Sequence, residues 1–500
     1  MVPDRPRHCT IPRRGQLNSC AYGLCRSAIL SVPSPVRHWR VGSPVSRSIA
    51  GSRRVAYNSP VARILLLTQV LPYPLDAGPK VRAYYMLRYL AAQHDVTLVS
   101  FVRPDDRPEY TEHLRSIASA VHTVPIQRSL ARNIRASIKG LMTGLPIVIA
   151  RDEMDEMTAL LQRLVHETSY DVVHADQLSM AWWGRLAATS GREERGKARA
   201  ASGTLDHPVT PSPCHLVTVL DEHNAIYALT DRMAAETSGL RRMVAQREAG
   251  AFRRYEADMV RFYDAVLTVT DEDRSLLLDL FAPPDRNLQA AKFTTVPICV
   301  DPAQVRPVMQ PPVPSPQSPP TILHLGTMFW PPNVAGVLWF AREVLPLIWQ
   351  QVPDARFVIA GKKPPADVCA LTTDPRIQVT GYVADPMPHL QTADAFVVPL
   401  FSGGGMRVKI LDAWLWGLPI VSTPIGAEGI TLHDGENILI AGDAHSFANA
   451  TVRVLTDVEF NRQLRIAGRR WVEQNYAWQV VYRRVDAVYT RLLEGEMVTR

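Results

Sequence analysis

From Arg63 onward the chain alternates two kinds of hydrophobic pattern. "RILLLTQV" is an unbroken apolar run closed by the turn "LPYPLDAGPK", as expected of a strand buried on both faces. "VRAYYMLRYLAAQH" then places Val81, Tyr85, Leu87 and Leu90 on or near one helical face, and "DVTLVSFV" is a second buried strand. "VHTVPI", "DVVHAD", "HLVTVLD", "AVLTVT" and "FTTVPI" repeat the strand pattern. Strand–helix–strand alternation predicts a parallel sheet with right-handed crossovers.

Two stretches interrupt it. Residues 189–213, "TSGREERGKARAASGTLDHPVTPSP", are rich in charge, Gly, Ser and Pro and read as a surface insertion. Residues 301–320, "DPAQVRPVMQPPVPSPQSPP", read as a Pro-rich interdomain linker. After the linker the alternation restarts with "TILHLGT", "RFVIAG", "IQVTGY", "DAFVVPL", "LPIVSTP" and "NILIA". The last helix, in "WQVVYRRVDAVYTRLLEG", is amphipathic, with Val481, Val485, Val488 and Leu492 at helical spacing. The expected fold is α/β: Rossmann-like domains at 61–300 and 321–472 facing a cleft, and a closing helix in 473–500. Ligands of such sheets bind at the strand carboxyl ends.

Charge changes this picture little. The net charge of +7 resides in residues 1–60, which hold ten arginines and one acid and therefore carry +9, leaving −2 for the rest. That segment reads as a disordered basic leader, and the nearly neutral remainder argues against nucleic acid. Six scattered cysteines form no CxxC pair and suit a reducing, cytoplasmic setting. No apolar run reaches the length of a membrane span. In "RSLARNIRASIKGLM", Leu130, Ile134, Ile138 and Leu141 share a face beside Arg132, Arg135 and Lys139. This helix either packs that face on the core or lies peripherally on an anionic membrane, at its inner face.

The candidate chemistry lies in "SGGGMRVKILDAWLWG". Gly403, Gly404, Gly405 and Met406 follow the strand "DAFVVPLF", in a strand-to-helix turn where bare backbone can approach an anion. Arg407 can pair bidentately with phosphate and Lys409 adds a point charge. Asp412, farther along the helix, can accept from hydroxyls, and Gly417 is a plausible C-cap. The bland alternative is a flexible loop with solvated basic residues. Across the cleft, Gly78 follows the first strand, and His174, Asp221 and His223 lie at strand ends as candidates for acceptor orientation or proton removal. A histidine in such a place is also often structural.

Five blocks in order carry a resemblance: "LPYPLDAGPKVRAYYMLRYLAAQHDVTLVSF", "DEHNAIYALTDRMA", "YEADMVRFYDAVLTVTDED", "HLGTMFWPPNVAGVLWFAREVLPLIWQQVPDARFVIAG" and "GGGMRVKILDAWLWGLPIVSTPIGAEGI". Together the chain resembles the family 4 glycosyltransferases of the GT-B fold over nearly all of residues 62–490. The resemblance implies a nucleotide-sugar donor bound by Gly78, Gly403–Gly405, Met406, Arg407, Lys409 and Asp412, with Asp221, His223, His174, Arg407 and Lys409 as catalytic candidates. The family's helix carries two acids eight apart; Asp412 falls at the second and Gly404 at the first, where the acid is missing. Arg407 and Lys409 replace cations that many relatives bring from the region reading "GTMFWPPN" here.

The implied reaction is transfer of a sugar to a hydroxyl of a glycan, glycolipid or small metabolite, with retention. No cofactor and no metal are expected, because no Asp-x-Asp motif lies near the phosphate site. A nucleotide-sugar 2-epimerase-like enzyme and a non-catalytic nucleotide-sugar-binding protein are the alternatives on the same architecture.

Overall fold

The computed structural model describes residues 61–75, 78–127, 129–202, 216–235, 237–309, 319–383, 386–403 and 405–494. The basic leader 1–60, Gly404, and the insertion and linker segments 203–215 and 310–318 lie outside the described residues.

The first sheet contains β1 (Arg63–Thr68), β2 (Asp95–Val102), β3 (Ala120–Pro125), β4 (Val172–Asp176), β5 (Val217–Glu222), β6 (Ala265–Thr268) and β7 (Phe293–Thr295), in the spatial order β3-β2-β1-β4-β5-β6-β7. The second contains β8 (Thr321–Leu325), β9 (Arg356–Ala360), β10 (Ile377–Gly381), β11 (Ala395–Val398), β12 (Ile420–Ser422) and β13 (Leu439–Ile440), in the order β10-β9-β8-β11-β12-β13. Every pairing is parallel. Strand β1 shows why the sequence looks as it does. Leu65 and Leu67 enter one core cluster and Ile64 and Leu66 another, so both faces are covered and every position from Ile64 to Leu67 is apolar. In each sheet the strand order reverses beside its first strand, between β1 and β4 and between β8 and β11. Those reversals open the crevices in which ligands of doubly wound sheets bind.

The chain's end returns to the first sheet. Val481, Val485, Val488 and Leu492 are buried with Ile64, Leu66 and Leu98, each contributing roughly 1.5–3 kcal/mol of apolar burial. The returning part begins later than expected. The helix Val458–Asn475 runs past position 473, the main chain of Val300 then pairs with Tyr476 and Trp478 (2.9 and 3.0 Å), and the helices Trp478–Val481 and Arg483–Leu493 follow.

Two segments hold more regular structure than their composition suggests. Much of the 189–213 insertion is helical, because the helix Leu178–Ser202 runs through it. Its charges are helix formers, Glu194 and Lys197 pair at 2.7 Å, and Gly191 lets the helix approach Leu216. The start of the linker is pinned rather than free. Val308 N donates to the Trp416 carbonyl (2.8 Å), and the buried Arg465 donates to the carbonyls of Val308 and Gly417 (3.2 and 3.1 Å).

Candidate active site

The donor side is built where β8 and β11 diverge. Strand β11 leads through residues 399–407 into the helix Val408–Trp416, which ends at Gly417 in the left-handed region (φ 73°), its N–H turned back to the carbonyls of Ala413 and Trp414. Arg407 is the N-cap and makes no side-chain cap hydrogen bond. A guanidinium has no acceptor to offer; Val408 N and Ile410 N turn to the carbonyls of Met406 and Arg407 (3.1 and 2.9 Å), which leaves the Lys409 amide as the first-turn donor suited to an external anion. The helix after β8, Pro331–Trp339, begins with two prolines that lack N–H groups. Anion capture by helix amides therefore falls to the Val408 helix.

Lys409 lies in the crevice itself. Its Nζ donates to Asn333 Oδ1 (2.9 Å), and Asn333 Nδ2 donates to the Thr327 carbonyl (3.0 Å), so the first turns of both helices meet at the ammonium. Burial, then the neighbouring Arg407, pushes the Lys409 pKa down to about 7. Beneath it, the fully buried His324 bonds through Nδ1 to the Val397 carbonyl (2.9 Å), which assigns the proton to Nδ1. Burial and the Lys409 charge hold this imidazole at about 3, hence neutral.

Arg407 departs from expectation. Its Nη1 donates to the Gly405 carbonyl (3.0 Å), its Nε to the Ile425 carbonyl (3.3 Å), and Nη2 lies 3.6 Å from Glu428. The guanidinium is turned onto its own loop, whose Gly403 and Gly405 carry positive φ (120° and 77°). It holds the shape of the turn instead of standing ready for a bidentate phosphate pair. Asp412, one turn beyond Lys409, is open to solvent, yet surrounding protein crowds it and pushes its carboxyl up to about 6. Gly404 is not among the described residues.

On the acceptor side the structure separates the candidates. Asp221 is fully buried: Arg82 donates Nε to both its oxygens (3.0 and 2.9 Å) and Nη2 to Oδ1 (2.6 Å). Arg82 also donates to the Val296 carbonyl (2.6 Å). His174 is likewise fully buried, its Nδ1 2.7 Å from the Tyr489 hydroxyl on the returning C-terminal helix, and burial lowers its pKa. Neither residue reaches the cleft: both are fully buried on the sheet face that the returning C-terminal residues cover, whereas His223 lies beyond the end of β5. His223 does reach it. Its Nε2 lies 3.0 Å from Oδ1 of the buried Asp176. With Nε2–H donated there, Nδ1 is left as an acceptor. Among the described residues, Asp176, Asp221 and His223 bring possible ligand atoms within 4.8 Å of one another. The cation already serving that group is Arg82.

His223 and Gly405 border one cavity of about 350 Å³, together with Gly78, Met406, Glu222 and Asn224. The two lobes nearly touch there. A Cβ on Gly405 would come within 2.9 Å of Asn224 Oδ1, and one on Gly429 within 3.2 Å of Thr270. At Gly78 a Cβ would meet nothing within 4 Å.

Two family models cover both lobes: "Glycosyl transferase 4-like domain" over residues 77–289 and "Glycosyl transferases group 1" over 319–457. The chain belongs to the group 1 glycosyltransferases. Among curated relatives, a capsular polysaccharide biosynthesis glycosyltransferase, CapM of Staphylococcus aureus, is 24% identical over 26% of this chain and 34% of its own length. A phosphatidyl-myo-inositol mannosyltransferase of Mycobacterium leprae is 26% identical over 34% of this chain and 46% of its own. The chain thus spans less than half the length of these relatives. Anabaena HepE, solved with UDP and glucose, shares the GT-B fold at 12% identity, with a TM-score of 0.55 over 86% of this chain and 99% of that one.

In this group 1 glycosyltransferase the Lys409 environment makes a measurable prediction. A bound diphosphate would restore the ammonium's preference for its proton, so binding takes up a proton wherever free Lys409 is neutral. Affinity for a nucleoside diphosphate should be complete below pH 7 and fall up to tenfold per unit as pH rises above it. Calorimetric titrations at pH 6, 7 and 8 read this directly; an equal Kd at all three would remove Lys409 from the phosphate site. Three residues of the site escaped the sequence reading: Asp176, Glu222 and Asn333. Asp176 carried the clearest signal, since "DVVHAD" ends its strand in an acid just as "VLDEHN" does.

Proposed function

We propose that this glycosyltransferase moves a sugar from a nucleoside diphosphate donor to a hydroxyl of a glycan, glycolipid or small metabolite, with retention and without a divalent metal. One observation carries the proposal: Gly405 and Met406, of the turn that leads into Lys409 and its helix, line one cavity with His223, which pairs with Asp176 on the other lobe. As the sugar–phosphate C–O bond breaks, charge grows on the leaving oxygen, where Lys409 and the helix amides stabilise it. The acceptor hydroxyl bonds to the sugar carbon and its proton passes to His223 Nδ1 or to the departing diphosphate. Because the phosphate turn and His223 share one cavity, the acceptor approaches from the side the leaving group vacates, which favours retention.

Thermal-shift screening against UDP-, GDP- and ADP-sugars identifies the donor. NMR of the product anomer from a hydroxyl acceptor then tests the stereochemistry. Turnover should be unchanged by a chelator; loss with chelator and recovery with manganese would overturn the metal-free assignment. Donor binding with no turnover across acceptors would favour a non-catalytic protein.

The helix Leu130–Thr143 supports a peripheral membrane contact. It is capped by Ser129, which accepts from Arg132 N, and ends at Gly144 (φ 74°). Only Ala136 and Gly140 are buried on it, while Leu130, Ile134, Ile138, Leu141 and Met142 are exposed beside Arg135 and Lys139. Its apolar face is turned outward, not onto the core, and no helix among the described residues is long and apolar enough to cross a membrane. Ile134→Glu with Ile138→Glu should abolish sedimentation with phosphatidylglycerol vesicles and leave the melting temperature unchanged. Sedimentation equal to wild type would remove the membrane role.

A further inference from the structure

One polar group at the cavity is unused by the chemistry above. Glu222 ends β5, is 1% exposed, lines the cavity beside His223, and neither carboxyl oxygen has a hydrogen-bond partner. Burial and the nearby acids Glu256, Asp221 and Asp273 push its pKa well above the usual range. Those causes favour the protonated carboxyl, which can both donate and accept. A buried polar group without a partner is costly, and a leucine at this position would avoid the cost. The cavity wall has the matching chemistry: Gln69, Gln177, Ser179 and Asn224 supply amides and a hydroxyl, and no Lys or Arg is among its lining residues.

We propose that Glu222 is the acceptor-recognition residue, hydrogen-bonding hydroxyls of a neutral, polyhydroxylated acceptor that enters this cavity. The proposal rests on the transferase reading above and adds the acceptor class: unphosphorylated sugars or cyclitols rather than phosphorylated or carboxylated ones. A phosphate or carboxylate there would meet the Glu222 carboxyl and no lysine or arginine among the lining residues.

The test uses the full chain with Glu222→Gln and Glu222→Leu. Three readouts are taken: donor hydrolysis, transfer to neutral glycosides and inositol, and transfer to their phosphorylated or uronic counterparts. Glu222→Gln, which still donates and accepts, should keep the neutral-acceptor KM within about threefold. Glu222→Leu should raise that KM tenfold or more, with donor KM unchanged and a melting temperature equal to or above wild type. An unchanged acceptor KM in Glu222→Leu, a lowered melting temperature, or wild-type preference for the anionic acceptors would each overturn the proposal. Loss of kcat in Glu222→Gln would also do so, by showing an ionised base. A wild-type chain that binds no nucleotide-sugar would instead overturn the transferase reading itself.

Discussion

Lys409→Ala should lower kcat/KM by on the order of 10²-fold or more, the scale of removing one preorganised charged donor. Among the described residues its side chain has one hydrogen-bond partner, Asn333, and it stands where β8 and β11 diverge. Its charge matters more as the leaving oxygen becomes anionic, so kcat should fall as well as affinity. The variant should also lose the step in donor affinity near pH 7, because the group that titrates there is gone. Arg407→Ala also lowers activity, by a different route: the turn held by its bonds to Gly405 and Ile425 loosens. Arg407→Lys should be nearly as poor, since an ammonium cannot span both carbonyls. Steady-state kinetics at pH 6 and 8 decide the matter; wild-type kcat in Lys409→Ala would place the phosphates elsewhere.

Arg82→Ala should cost about 3–5 kcal/mol of stability, the usual consequence of leaving a fully buried carboxylate unpaired. Burial alone would depress the Arg82 pKa, but Asp221 reverses that, while Asp221 itself is held below its usual range despite its burial. The sign follows from the depressed carboxylate. The pair's contribution is complete above the ordinary Asp pKa and disappears as pH falls through the lower folded value. The deficit of Arg82→Ala should therefore be largest near neutrality and shrink in strong acid. Arg82→Met with Asp221→Leu should recover part of it, because no charge is stranded. Urea midpoints at pH 7 and pH 3 measure both effects, and a neutral-pH midpoint unchanged by Arg82→Ala would contradict the assignment.

The sheets were readable in the sequence because strands buried on both faces leave continuous apolar runs, as in β1. The helix from Val408 and its glycine cap were readable because they depend on local chemistry. What failed depended on contacts distant in sequence. His174 stands in "DVVHAD" much as His223 stands in "VLDEHN", but the face His174 occupies is covered by Tyr489, 315 residues away. Asp221 looked like a cleft acid because its partner Arg82 lies 139 residues earlier. Arg407 has the residue type of a phosphate clamp; which carbonyls its own loop turns toward it is a matter of backbone geometry that composition does not encode. Glu222 was overshadowed by the acid and histidine flanking it, and only its burial without a partner distinguishes it.

The returning C-terminal helix fixes a timetable for synthesis. The Tyr482 hydroxyl donates to the Arg82 carbonyl across 400 residues (3.0 Å). At roughly 5–20 residues per second, the ribosome needs roughly 20–80 s to supply that partner after Arg82 emerges. Until then one face of the first sheet, around Ile64, Leu66 and Leu98, lacks the apolar cover it has in the finished molecule. The N-terminal lobe is synthesised first yet completed only after the second lobe, and a nascent chain stalled before Trp478 should be a chaperone client while one that has supplied this helix is not.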